Sequence, residues 1–183
     1  MRKSILTVAS VAALAMPLLA FTPTAGAAAA ATPTCKTVAG SATFSPALPP
    51  LGNTTTVKST VTATGKASSC TGGGVTSATM SGKFKFAKAG NCTTLAQGTG
   101  GAITGPVTFK WNTGTTSTIG AAKLQQVSGN AFQSTVTGKI TAGTFMGKTE
   151  SLKVTFALTT GECSSKPLSK VTFTQVAPGL TIK

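Results

Sequence analysis

Residues 75–87 read VTSATMSGKFKFA, and every second position carries Ala78, Met80, Gly82, Phe84 and Phe86, with Thr79, Ser81, Lys83 and Lys85 between them. A period of two is the side-chain period of a β-strand with one dry face and one wet face. The same alternation recurs along the chain. Residues 56–66 set Val57, Ser59, Val61 and Ala63 against Thr and Lys; residues 105–112 align Val107, Phe109 and Trp111. Residues 132–141 align Phe132, Val136 and Ile140, and residues 151–159 align Leu152, Val154, Phe156 and Leu158. Strands over 36–44 and 170–176 open and close the series, and 115–127 reads as one bent strand or two. The abundance of Thr and Val suits strands. No stretch holds a 3.6-residue period, so little helix is expected.

The breaks between these runs are chemically plain. Residues 45–53, SPALPPLGN, stop the first strand. NTGT at 112–115 is a hairpin turn in which Gly114 is free to take a positive φ. The glycine runs at 71–74 and 98–102 lack the GxxxxGK[ST] pattern of a phosphate loop and read as connections between strands. Eight or more short strands, each with one Lys/Thr face, predict an all-β antiparallel fold. A β-sandwich of immunoglobulin-like or jelly-roll-like type is expected first, and a partly closed β-barrel second.

Two stretches repeat one another. STVTATGK (59–66) and STVTGK (134–139) each follow a Gly-Asn pair, and each leads to a Phe-Ala segment that closes on Gly-x-Cys at Cys92 or Cys163. Residues 52–92 and 129–163 are thus expected to be two copies of a two-strand unit within one domain. Two copies are too few for a solenoid.

The N-terminus sets the compartment. Arg2 and Lys3 precede the apolar run 5–21 and small residues with Ala-x-Ala sites, the pattern of a secretory signal peptide. We therefore expect residues 1–31 to be a signal and small-residue tract and 32–183 one secreted, extracellular or wall-associated domain with no membrane span of its own. Four cysteines in a secreted chain imply two disulfides among Cys35, Cys70, Cys92 and Cys163, with three connectivities open. A local Cys70–Cys92 bridge, leaving Cys35–Cys163, is one that the spacing suits.

Charge narrows the chemistry. Sixteen basic residues against two acidic ones give a formal +14, or +12 once Arg2 and Lys3 depart. The remaining chain has no His, Asp, Arg or Tyr, and its only acids are Glu150 and Glu162. That inventory excludes a Ser-His-Asp triad, argues against a paired-carboxylate glycosidase, and lacks the usual metal ligands. No catalytic residue, metal or cofactor is expected. Lys58, Lys66, Lys83, Lys85, Lys110, Lys139 and Lys153 fall mostly on the polar faces of strands, so where those strands adjoin a basic sheet face for an anionic cell-wall polymer or anionic lipid surface is expected. The absence of Arg argues against sequence-specific nucleic-acid readout. Trp111, the single tryptophan, reads as core, with an exposed aromatic contact as the alternative.

Through CKTVAGSATFSPAL (35–48), SSCTGGG (68–74), WNTGTTSTI (111–119) and GKITAGTFMGK (138–148), the chain resembles small secreted actinobacterial proteins of unknown function. The resemblance implies export and a two-disulfide all-β fold, and brings no site. The sequence therefore points to a non-enzymatic binding module at the cell envelope, or to a structural domain that pairs through a strand edge or self-assembles.

Overall fold

The structure is a computed structural model that describes residues 31–99, 101–127, 130–158 and 162–183. The signal segment expected at 1–31 lies, apart from Ala31, outside the described residues. The strands are β1 (Thr34–Leu48), β2 (Thr60–Thr71), β3 (Ala78–Phe86), β4 (Ile103–Trp111), β5 (Thr116–Val127), β6 (Asn130–Gly143), β7 (Thr149–Leu158), β8 (Leu168–Gln175) and β9 (Leu180–Ile182). One short helix, α1 (Cys92–Gln97), stands between β3 and β4.

Each strand from β1 to β8 pairs antiparallel with the next, and β1 pairs with β8 as well as with β2. The sheet is therefore a closed eight-stranded antiparallel barrel. The short β9 runs on from β8 after a break at 176–179 and fills the gap between β1 and β7, with Cys35 opposite Leu180 and Glu150 opposite Ile182.

This corrects the sandwich expectation; the barrel given second is nearer, and its closure is complete. Alternation assigns each residue to a face but is the same in a sandwich and in a barrel. What decides is that Ala39–Thr43 of β1 lie in register with Lys170–Thr174 of β8. A tight ring also needs sharply coiled strands. Gly40 sits opposite Gly65, and a Cβ on Gly40 would lie 2.2 Å from the Thr64 carbonyl oxygen and 2.5 Å from the Phe173 ring. Register shifts between Gly105 and Val107 and between Ile119 and Lys123 supply the bends, so 115–127 is one bent strand.

One end of the barrel is plugged. Trp111 stacks on Phe109 at 5.5 Å and meets the edge of Phe145 at 5.7 Å. Its indole N–H donates to Ser117 Oγ at 2.8 Å, and that hydroxyl donates to the Thr144 carbonyl. Trp111 is 2% exposed, so the alternative of an exposed aromatic contact has no surface to act through.

The disulfides are Cys35–Cys70 and Cys92–Cys163, not the pairing the spacing suggested. Cys35 and Cys70 face each other across the β1–β2 ladder, so the strand register itself brings them together. Cys92 and Cys163 meet at the opposite end of the barrel. The segments of the expected repeat occupy hairpins β2–β3 and β6–β7. In the first, Gly65 faces Met80 and Lys66 faces Thr79; in the second, Gly138 faces Glu150 and Lys139 faces Thr149.

Candidate ligand cavity

Every strand of the ring sends its apolar face inward, yet the side chains do not fill the space. A cavity of about 920 Å³ runs from the plugged floor toward the end that carries α1. Phe44, Ala63, Met80, Leu124, Phe156 and Leu158 point into the barrel but are only half-buried, because they border that open volume. The rings of Phe84, Phe86, Phe109 and Phe173 complete much of the wall. Eight strands make an interior that side chains can fill or that is left with open space, and this interior is left open. Its volume lies within the roughly 300–1,000 Å³ typical of small-molecule sites.

The mouth is built by α1 and its anchors. Asn91 caps the helix, accepting from the Thr94 N–H at 3.0 Å while the Thr94 hydroxyl accepts from the Asn91 N–H at 2.9 Å. The Asn91 amide also donates to the Asn53 and Thr55 carbonyls, tying the helix to the 53–57 loop. Gly98 ends the helix at φ 69°, and Cys92–Cys163 fastens it to the segment after β7. Leu95 and Gln97 of α1, with Gln125, Gln126 and Glu162, edge the opening. Leu51 and Phe132, 49% and 47% exposed, form an apolar lip there.

One polar group breaks the apolar wall at depth. Glu150, at the start of β7 near the floor, is 1% exposed and borders the cavity. Among the described residues, neither carboxyl oxygen finds a hydrogen-bond partner and no lysine lines the cavity. Burial alone pushes the carboxyl from 4.5 up to about 8, because the charged form is desolvated and nothing nearby compensates. Glu162 is placed differently. At the rim its Oε1 accepts from the Ser169 hydroxyl at 2.9 Å and from the Ser169 and Lys170 amides. Among the described residues no three His, Cys, Asp or Glu side chains come together.

None of the described lysines borders the cavity; they lie on the outer faces of strands and in the connections. Of the fourteen described, only Lys153 is half-buried and the rest are exposed. Lys66, Lys83, Lys85 and Lys110 share the neighbouring strands β2 to β4, and Lys58 lies just before β2. Lys139 and Lys153 stand on β6 and β7, with β5 and its Lys123 between the two groups. In the ladders threonine separates them, as in Lys66–Thr79–Lys110 and Lys85–Thr104–Lys123, so like charges are never directly opposite.

Glu150 is the cavity residue that the sequence reading passed over. Its signal was the parity of β7: it stands two residues before Leu152, Val154, Phe156 and Leu158, on the same inward face. No protein-family model, no curated protein and no solved structure matches this chain.

Proposed function

We propose that this is an exported, non-enzymatic barrel that binds one elongated apolar small molecule in its interior. The observation that carries the reading is the open, phenylalanine-walled cavity of about 920 Å³ with an apolar lip at its mouth. An apolar chain entering it leaves water, gaining about 0.8 kcal/mol per buried methylene. The chemistry of the lining supports binding rather than turnover. Of the two carboxyl groups bordering the cavity, one is isolated at depth and the other is engaged by backbone amides at the rim. Two disulfides fit an oxidising, extracellular setting.

The test is titration with Nile red, a neutral apolar dye, followed by its fluorescence. Saturable one-to-one binding is expected. Ala63→Phe, which places a ring in the open volume, is expected to weaken it at least tenfold while leaving the fold intact by circular dichroism. Dye binding that is absent, or that ignores Ala63→Phe, overturns the reading.

A second reading concerns the outside of the same barrel. The exposed lysines face solvent all round the wall, while Glu150 is buried inside and Glu162 is held at the rim, which supports association of the wall with anionic envelope polymers or lipid surfaces. Strand-edge pairing finds less support, since every strand of the ring has a neighbour on each side.

A further inference from the structure

We infer that the ligand of this cavity is an amphiphilic amine, an apolar chain ending in an amino group that reaches the floor and pairs with the Glu150 carboxylate. The inference rests on the interior being a ligand site, as proposed above, and adds what the ligand must carry at its leading end.

The geometry leads there in three steps. Glu150 is 1% exposed and borders the cavity from near its closed end, so whatever meets it must be threaded through the apolar length first. Both of its oxygens lack a partner, and a buried polar group without one is a standing cost to the fold. An ammonium offers three N–H donors and can satisfy both oxygens at once, whereas a hydroxyl offers one. The charge environment selects in the same direction. Among the described residues no lysine lines the cavity, and the other carboxyl group bordering it, Glu162, is held at the rim by Ser169 and the Lys170 amide. A carboxylate ligand would bring an unpaired negative charge into an apolar interior where none of the described lysines could balance it.

The corresponding position of hairpin β2–β3 carries an apolar side chain in place of the carboxyl. Met80 faces Gly65 as Glu150 faces Gly138, and Met80 also borders the cavity. A flexible apolar side chain thus serves at one place, and a carboxyl of similar length stands at the other.

The pairing has a proton balance that can be measured. In the empty barrel at neutral pH the carboxyl, raised to about 8 by burial, holds its proton. A ligand that arrives as ammonium and pairs with carboxylate must displace that proton to solvent, so binding releases close to one proton per ligand.

The experiment uses the oxidised protein and three chains of equal length: dodecylamine, dodecan-1-ol and dodecanoic acid, each competing with Nile red. Dodecylamine is expected to displace the dye at a concentration at least tenfold below that of the other two. Calorimetry in buffers of different ionisation enthalpy is expected to show release of close to one proton. In Glu150→Gln and Glu150→Met, the preference for dodecylamine over dodecan-1-ol should fall to less than threefold and the proton release should be gone. Nile red binding with no amine preference, or a preference that survives both substitutions, overturns the amine inference and leaves the cavity reading standing. No dye binding and no heat from dodecylamine overturns both.

Discussion

Glu150→Gln should remove a pH dependence of stability that the wild-type barrel carries. The ordinary carboxyl of the unfolded chain loses its proton near 4.5, while the folded one keeps it until about 8. Between these values the native state binds a proton that the unfolded state does not. This contribution is therefore fully present below pH 4.5, declines as pH rises, and is lost once pH passes 8. At about 1.4 kcal/mol per pH unit, the free energy of unfolding falls by at most about 5 kcal/mol across the window. The amide cannot ionise, so the variant's profile should be flat from pH 6 to 8 and the variant the more stable protein at pH 8. Guanidinium unfolding at several pH values, followed by the fluorescence of the buried Trp111, measures this directly. The chain has no histidine, the side chain that ordinarily titrates in this range, which keeps the background low. Parallel wild-type and variant profiles from pH 6 to 8 would refute the reasoning.

The disulfides and lysines give further expectations. Replacing both Cys92 and Cys163 by Ser opens a link between residues 71 apart and should cost about 4 kcal/mol by denaturant unfolding, with the 35-residue link Cys35–Cys70 worth only slightly less. A loss under about 1 kcal/mol for either pair would contradict that. If the outer wall binds polyanions, sedimentation with teichoic-acid-bearing cell walls should fall steeply across a salt series. Charge reversal at Lys83 and Lys85 should weaken it, and salt-insensitive binding would count against the lysine reading.

The elements of this fold were legible because each strand carries its own alternation, a local property. Phe84 and Phe86, or Leu152 to Leu158, declare their face without any partner. Closure was not legible, since nothing local in 36–44 or 170–176 says that these strands meet. Helix α1 spans six residues, too few for a 3.6-residue period to register, and it is fixed instead by the Asn91 cap and the Cys92 bridge. The disulfide pairing followed from register across β1 and β2, not from spacing along the chain. The cavity escaped for a different reason. Alternation marks which side chains point inward, but whether they fill the interior depends on the radius of the ring and on small inward residues such as Gly40, Gly65 and Ala63. Glu150 was counted as a scarce acid, while its place in the β7 alternation already put it inside.

The contact of β1 with β8 has a consequence for how the barrel is made. Most neighbouring strands are joined by short turns and can zip up as hairpins, but Ala39 must find Thr174 across nearly the whole described chain. Pairings of such long range are entropically costly and late to form. The barrel is thus a curled ribbon before it is a vessel, and its interior becomes a separate compartment only when that one seam is sewn. Once it is sewn, backbone ladders join the described strands all round, and the opening that the described residues leave to the interior is the rim beside α1.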